Sequence, residues 1–259
     1  MLVIISGCSG VGKNTIINEI LHRYSEFALL PTYTTREKRV NETEGCPYFF
    51  ASVEEFKRKI DEGEFYEHQI VHNHYYGVSR KVLMEKKQLS KILIKDVDVL
   101  GTQALTDQIG DTIRVLTFFY YVESKSVLVE RLKGRKEKNI DVRLERYEME
   151  MQLSDNYDYL INNCDMETTL HLTKSIIDFE INNKRLQPAP SIGEMDERTR
   201  DAIAEEMKKG VVFPAIDVAL VDGELYITDG NERYMAAMLS GKRIAKRVTL
   251  PELDNPEKT

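Results

Sequence analysis

Apolar and polar positions form blocks that predict a regular succession of strands and helices. The chain opens with the apolar run MLVIIS (1–6), followed by the glycine-rich stretch GCSGVGKNT (7–15) and the amphipathic TIINEILHRY (15–24). This order predicts a strand, a loop and a helix. Two later runs, KILIKDV (91–97) and TIRVLTFFYYV (112–122), are apolar and rich in β-branched or aromatic residues, which is typical of buried strands. Buried strands separated by helical segments imply an α/β fold with a parallel sheet.

The pattern restarts in the last third of the chain. A charged helical stretch (124–151) and a closing helix (167–184) complete the first part, which we expect to end near Leu186. Residues 187–190 contain two prolines and predict a linker, because proline cannot continue a helix. Residues 191–259 then predict a small α+β domain of their own.

The elements predicted for this C-terminal segment alternate in type. They are an amphipathic helix (195–209), a strand (216–221), a hairpin turn at Asp222 and Gly223, a return strand (225–228) and a helix (231–240).

Charge and cysteine content limit the partners and the compartment. The 259 residues carry a formal net charge of −7, so a broad basic face for nonspecific DNA binding is not expected. The three cysteines, Cys8, Cys46 and Cys164, are few and widely spaced, which predicts a reduced, cytoplasmic compartment. The short apolar start lacks the charged flank of a secretory signal, and we expect no membrane span. No feature of the sequence predicts an oligomeric state.

The stretch GCSGVGKNT has the composition of a phosphate-binding loop. Gly7, Gly10 and Gly12 permit backbone angles and close approaches that turn peptide N–H groups toward a polyphosphate. Lys13 adds a charge for the β- and γ-phosphates, and the following helix adds its positive N-terminus. ATP or GTP is the implied ligand, and the alternative is a glycine-rich turn without one. The residues predicted to bind the nucleotide here are Ser9, Gly10, Val11, Gly12, Lys13, Asn14 and Thr15.

One position of this loop departs from the usual pattern. Asn14 stands where G-x4-G-K-[ST] has the hydroxyl residue that contacts Mg²⁺, although Thr15 follows it. The amide oxygen of Asn14 is still able to coordinate a metal ion. We therefore predict Mg²⁺ bound with ATP near these two residues and assign no direct protein ligand to it. The spacing of His68, His72 and His74 is not that of a metal site.

A second polar cluster, TTREKRVNE (34–42), is followed by Tyr48. Arg36 and Arg39 bring two guanidinium groups, whose forks match the oxygens of a phosphate. Glu42 is close enough in sequence to hold them in position. The cluster predicts an anion site, and the alternative is a solvated charged loop.

Five stretches in this order resemble the guanylate kinase family throughout residues 1 to about 182. They are GCSGVGKNT, TTREKRVNETEGCPYFF, EFYEHQIVHNHYYGVSR, IKDVDVLG and RLKGR. The resemblance implies a P-loop kinase domain over 1–186, with a parallel sheet, a helical lid and an acceptor-binding subdomain. It also implies transfer of the γ-phosphate of ATP, with Mg²⁺, to a small-molecule nucleotide, by default GMP or dGMP.

The resemblance further implies roles for individual residues. The acceptor monophosphate would be held by residues matching Thr32, Arg36, Arg39 and Tyr48, with Glu42 nearby, and the base would be read by Glu67, Asp98 and position 78. The full set predicted to bind the acceptor is Thr32, Arg36, Arg39, Glu42, Tyr48, Glu67, Tyr76, Val78, Asp96 and Asp98. Asp96 and Asp98 end a buried strand, where α/β sheets place ligand groups, and helix capping is the alternative for them.

A lid of arginines over ATP is implied as well. It would contain Arg131, Arg135 and Arg143, and the alternative is a solvated helix face paired with nearby glutamates. The predicted catalytic residues are Lys13, Arg36, Arg131 and Arg143. Val78 departs from the family, which has a hydroxyl residue there to contact guanine, so guanine selection is expected to be weakened or changed.

The C-terminal segment resembles the ParB/sulfiredoxin-like module through PAIDVALVDGELYITDGNERYMAAMLSG. Its candidate ligand turn consists of Asp229, Gly230, Asn231, Glu232 and Arg233. A strand that delivers Asp-Gly to a helix N-terminus is suited to hold a nucleotide phosphate, and a capped helix without a ligand is the alternative. The sulfiredoxin cysteine is absent, so sulfiredoxin chemistry is not expected.

Three functions stay open on the sequence. The first is a nucleotide kinase acting on free GMP or dGMP. The second is a phage-type kinase that phosphorylates a modified base such as a 5-hydroxymethyl pyrimidine in DNA, with the C-terminal domain contacting the DNA. The third is a non-catalytic interaction module with the kinase fold, for which Asn14 is the only support.

Overall fold

The computed structural model describes residues 1–8, 10–40, 42–71, 73–134, 140–190, 192–193 and 195–251, without the side chains of 71 and 141–143. The strands are β1 (Leu2–Gly7), β2 (Phe27–Leu29), β3 (Thr32–Thr34), β4 (Thr43–Glu44), β5 (Pro47–Phe50), β6 (Phe65–Val71), β7 (His74–Ser79), β8 (Ile92–Asp96), β9 (Val115–Tyr121), β10 (Tyr159–Asn162), β11 (Gln187–Pro188), β12 (Ile216–Val221), β13 (Glu224–Asp229) and β14 (Lys246–Thr249). The helices are α1 (Lys13–Arg23), α2 (Val53–Asp61), α3 (Arg80–Leu89), α4 (Val99–Ile109), α5 (Lys125–Gly134), α6 (Ile140–Gln152), α7 (Met166–Ile181), α8 (Glu197–Lys208) and α9 (Asn231–Ser240).

The chain forms two compact units. One comprises Met1–Ser6 with Lys13–Thr117, and the other comprises Gly7–Gly12 with Phe118–Thr259. No described helix is long and apolar enough to cross a membrane.

The first unit contains a parallel sheet and a second, smaller sheet. Strand β8 pairs in parallel with β1 on one side and with β2 on the other, as the apolar runs predict. The second sheet has the strand order β4-β5-β3-β7-β6 and falls in the region predicted to bind the acceptor. Leu2, Ile4, Leu93 and Val97 belong to a hydrophobic cluster in this unit, which gives the parallel strands a buried face.

The second unit contains the C-terminal segment. Strand β10 pairs in parallel with β9 and with β14, and β12 pairs in parallel with β14 and antiparallel with β13. The predicted helix, strand, hairpin, strand and helix of this segment are present as α8, β12, β13 and α9 with closely similar bounds.

The structure differs from the predicted linker at 187–190. Residues 187–188 form strand β11, which pairs with β13, and β14 of the C-terminal segment pairs with β10. The proline content indicated only that a helix must stop there. The C-terminal segment continues the sheet that contains β10. This pairing satisfies backbone groups that would otherwise lie at an open edge of the sheet.

Candidate active site

The glycine-rich stretch connects strand β1 to helix α1, as predicted. Gly7 and Gly12 have φ angles of 132° and 103°, which L-residues with a side chain rarely adopt. A Cβ at Gly7 would lie 2.0 Å from the carbonyl oxygen of Tyr120, so only glycine fits there. Helix α1 begins at Lys13, and Ser9 lies outside the described residues.

The carbonyl of Val11 in this loop is held by two side chains. Asn163 Nδ2 donates to Val11 O at 2.6 Å, and an Arg131 guanidinium N–H donates to the same oxygen at 3.1 Å. Arg131 also donates to the carbonyl of Asn163 at 2.9 Å. Arg131 therefore contacts backbone of the loop, and its predicted role in a lid over ATP stays a prediction. Arg135 and the side chain of Arg143 lie outside the described part of the chain.

The predicted anion cluster is organised around Glu42. Its Oε1 accepts a 2.6 Å hydrogen bond from Arg36, and its Oε2 accepts one of 2.9 Å from the backbone N–H of Arg39. The bond from Arg36 lowers the pKa of Glu42, and the same bond raises the pKa of Arg36. The Arg36 guanidinium lies 5.2 Å from the ring centre of Tyr48, within cation–π distance. Glu42 thus positions the guanidinium of Arg36, whereas it contacts Arg39 only through the backbone.

Two cavities in the first unit adjoin this cluster. The guanidinium cavity, of about 420 Å³, is lined among others by Asn14, Arg36, Arg39 and Glu42. The carboxylate cavity, of about 210 Å³, is lined among others by Thr32, Glu67, Gln69, Lys95 and Asp98. Three side chains line both cavities, namely Tyr48, Tyr76 and Asp96. The structure therefore brings together nine of the ten residues predicted to bind the acceptor.

The carboxylate cavity has unusual electrostatics. Burial raises the pKa of Glu67 to about 7, with Lys95 opposing and Asp98 adding to the shift. Burial also raises the pKa of the Tyr48 phenol further above the physiological range, and the neutral phenol is able to donate a hydrogen bond. Asp98 caps helix α4, since its Oδ1 accepts from the N–H of Gly101 at 2.8 Å, and it lines the cavity as well. Capping and ligand binding are therefore compatible at this residue.

Val78 is the tenth predicted residue. Its side chain is fully buried in the hydrophobic cluster that also contains Tyr66 and Val97, and it is not among the residues that line either cavity. The predicted contact between position 78 and the base stays a prediction. Strand β7 places Val78 beside Glu67 of β6, so the two are neighbours in the sheet.

Sequence reasoning missed Gln69 and Lys95. Gln69 lies two residues after Glu67 in β6, and residues two apart in a strand share a face, so this spacing was a usable signal. Lys95 interrupts the apolar run of β8, which reads as a buried strand. A single charged residue in such a run is a signal for a buried functional group, because an unpaired buried charge is costly.

Comparisons with known proteins give one consistent result. A family model described as guanylate kinase matches residues 1–180. The guanylate kinase of Thermotoga maritima is 35% identical over 181 residues, spanning 68% of this chain and 85% of that protein, and the Helicobacter pylori enzyme is 36% identical over 178 residues with the same shares. The crystal structure of guanylate kinase from Anaplasma phagocytophilum aligns with a TM-score of 0.54 and 28% identity, covering 70% of this chain and 85% of that one. The chain belongs to the guanylate kinase family.

The family match ends at residue 180, so the C-terminal segment lies beyond it. In that segment the guanidinium of Arg233 donates to Asp229 Oδ2 at 2.8 Å, and to the carbonyl of Ala215 at 3.4 Å. Gly230 has a φ of 87° and is the N-cap residue just before helix α9. Arg233 is thus bonded to Asp229 within the turn, and the predicted binding of a ligand there stays a prediction.

The described residues contain no cluster of three or more His, Cys, Asp or Glu side chains that would hold a metal ion by itself. Asn14 and Asp96 nevertheless line the same cavity, and both carry oxygen atoms of the kind that Mg²⁺ prefers. Mg²⁺ bound with nucleotide phosphates commonly uses only one or two protein ligands. These two residues fit such a site.

Proposed function

We propose that this chain transfers the γ-phosphate of ATP to a nucleoside monophosphate, GMP or dGMP. Membership of the guanylate kinase family makes it a nucleotide kinase, and therefore a phosphotransferase. The observation that carries the proposal is the guanidinium cavity, where Asn14 at the start of α1 and the acceptor-side Arg36 and Arg39 line one space. A donor phosphate at the helix N-terminus and an acceptor phosphate on the guanidiniums would meet there.

The side chains have distinct tasks in this reaction. Phosphoryl transfer needs in-line positioning and neutralisation of charge more than covalent chemistry. Lys13 supplies charge to the β- and γ-phosphates, and Arg36, which Glu42 orients, binds the acceptor phosphate together with Arg39. Arg131 is a further predicted catalytic residue. We propose that it acts on ATP from its position in contact with the backbone of the glycine loop.

Arg131, Arg135 and Arg143 are proposed to form a lid that excludes water, which would otherwise hydrolyse ATP. Mg²⁺ would be held by Asn14 and Asp96 and would neutralise phosphate charge when bound. This assignment uses the oxygen atoms of both side chains, and Thr15 is not among the residues that line the cavity.

We also propose that the C-terminal segment is a ParB/sulfiredoxin-like module that contacts a nucleotide or DNA through residues 229–233. Its support is the succession of α8, β12, β13 and α9, with glycine leading into the last helix. If it binds DNA, the kinase would act on a modified pyrimidine in DNA. The formal net charge of −7 opposes that second function.

The direct test is an assay with γ-labelled ATP and a panel of acceptors. The panel contains GMP, dGMP, AMP, UMP and duplex DNA with 5-hydroxymethyl pyrimidines. We expect label in GDP and dGDP, and we expect Lys13→Ala to lose about 100-fold or more in rate while staying folded. Lys57→Ala, at an exposed lysine of α2, is the matched control. Label in DNA alone would support the DNA kinase, and no transfer to any acceptor would favour the non-catalytic module.

A further inference from the structure

Lys95 is a buried cation in strand β8 that lines the carboxylate cavity. Leu93 lies two residues before it in β8, so alternation along the strand puts these two residues on one face, and Val97 follows the end of the strand. Leu93 and Val97 belong to the hydrophobic cluster. Lys95 itself is only 5% exposed. An ammonium group in this place destabilises the fold unless polar partners bind it.

The described residues accept only part of the hydrogen bonds that this ammonium group is able to donate. Its one hydrogen bond to a described residue goes to Thr32 Oγ1. An ammonium group has three N–H donors, so two are left. Lys95 lines the carboxylate cavity, where a bound molecule has access to those donors. Burial lowers the pKa of Lys95, while Asp96 and Glu67 oppose the shift by favouring its charged form.

The cationic side chains of the acceptor site line different cavities. Arg36 and Arg39 line the guanidinium cavity and not the carboxylate cavity, whereas Lys95 lines the carboxylate cavity alone, together with Glu67 and Asp98. Guanidinium groups are suited to the acceptor phosphate. Glu67 and Asp98, which the family resemblance implies to read the base, line the carboxylate cavity, so Lys95 lies with the groups that would surround the base, although Thr32, implied to hold the phosphate, lines this cavity too.

Resting on the proposed kinase function, we propose that Lys95 is a base-reading residue that donates hydrogen bonds to the O6 and N7 edge of an oxopurine. Guanine offers these two acceptors on one edge and N–H donors on another. The carboxylates of Glu67 and Asp98 accept from the donors. Adenine carries an amino group in place of O6, which would bring a donor against the ammonium group. Lys95 thus selects an oxopurine over adenine.

The test compares the wild type with Lys95→Met, which keeps the apolar stem and removes the ammonium group. Lys91→Met, at an exposed lysine just before β8, is the matched control. Each protein is assayed with GMP, 7-deaza-GMP and 6-thio-GMP. We expect the wild type to favour GMP over at least one analogue by about 10-fold, and Lys95→Met to lose about 10- to 100-fold in kcat/KM for GMP with little change in KM for ATP. In Lys95→Met, the preference for GMP over that analogue should shrink to about 3-fold or less. This variant has already lost the contact between the ammonium group and the base, so the change in the analogue removes nothing more.

Thermal unfolding separates this role from a structural one. Lys95→Met should unfold at the same temperature as the wild type or higher, because it removes a buried ammonium group that the described residues only partly satisfy. Should it fail to fold, Lys95→Gln keeps a donor and is expected to retain part of the preference for GMP. Equal losses for GMP and both analogues, or a lower unfolding temperature with unchanged preference, would overturn the proposal. If the wild type transferred no phosphate to GMP, the proposed function would fail first, and calorimetric binding of the same three nucleotides would still test Lys95.

Discussion

Arg36 is held in place by contacts within its own loop. Its side chain donates to Glu42 Oε1 at 2.6 Å and to the carbonyl of Glu37 at 2.7 Å, and it lies near the ring of Tyr48. A guanidinium group fixed in this way loses little further freedom when an anion binds. The affinity of the site for an acceptor phosphate therefore depends on this preorganisation as well as on charge.

Replacing Arg36 should weaken binding of the acceptor and leave binding of ATP intact. For Arg36→Ala we expect KM for GMP to rise about 10- to 100-fold, the range of a lost charge-assisted hydrogen bond. Steady-state titration of each substrate in turn measures both constants. Lys38→Ala, at an exposed neighbour, controls for the loss of positive charge in the loop. A rise in KM for ATP alone would assign Arg36 to the donor side.

Glu67 should make the stability of the protein depend on pH. Its pKa is about 7 in the folded state against an ordinary value of 4.5, so the folded state binds more protons than the unfolded state between these values. Stability therefore falls as pH rises through this window. For Glu67→Gln, we expect the free energy of unfolding relative to the wild type to increase by about 2–3 kcal/mol from pH 4.5 to pH 8.

Urea unfolding of both proteins at several pH values measures this difference. Glu85→Gln, at an exposed glutamate of α3, should show no such trend. A difference between Glu67→Gln and the wild type that stays constant with pH would mean that the Glu67 carboxyl titrates normally.

At the residue scale, the sequence predicted from its motifs ten residues that bind the acceptor, nine of which line the two cavities, and their role in binding stays a prediction. It missed Lys95 because an apolar run predicts burial and says nothing about a cavity beside the strand. It predicted a contact between position 78 and the base, which stays a prediction, and it did not predict that the Val78 side chain lies in the hydrophobic cluster. Whether a strand residue lines a cavity or fills the core depends on packing across neighbouring strands, which a local pattern does not contain.

At the element scale, the glycine loop depends on a residue far along the chain. Asn163, just after β10, donates from Nδ2 to Val11 O at 2.6 Å and accepts at Oδ1 from Thr169 at 2.8 Å. Asn163 is buried, so both bonds are shielded from water. The sequence predicted the loop itself from its glycines. It could not predict this support, because the two partners are 152 residues apart.

We expect Asn163→Ala to loosen the loop. The lost hydrogen bonds should lower the free energy of unfolding by about 1–3 kcal/mol and raise KM for ATP by about 10-fold. KM for GMP should stay within about 2-fold of the wild type, since the cavity residues are unchanged. Cys164→Ser alters the exposed next residue and serves as the control. An unchanged KM for ATP in Asn163→Ala would mean that ATP binding does not depend on the support that Asn163 gives to the loop.

At the scale of the whole molecule, the C-terminal segment is joined to the sheet that contains β10. Strand β14 lies beside β10, and Lys246 Nζ is 4.7 Å from the ring centre of Tyr159. The backbone N–H of Ala215 donates to Asp155 Oδ1 at 3.1 Å. The sequence predicted the elements of this segment from their patterns. Strand pairing between distant parts of the chain has no local signal, so the predicted separate domain did not include it.

Removing the segment should therefore destabilise the protein. A chain that ends at Leu186 leaves β10 with an open edge and exposes Tyr159, which is fully buried in the intact protein. We expect its unfolding temperature to fall by about 5–10 °C and its tendency to aggregate to rise, as measured by differential scanning calorimetry and light scattering. A chain that ends at Pro251 keeps every described strand and is the control. Below its unfolding temperature the shortened chain should still phosphorylate GMP, because the glycine loop and both cavities lie within residues 1–186. Unchanged unfolding with loss of transfer to GMP would contradict this account and would give the C-terminal segment a direct part in the reaction.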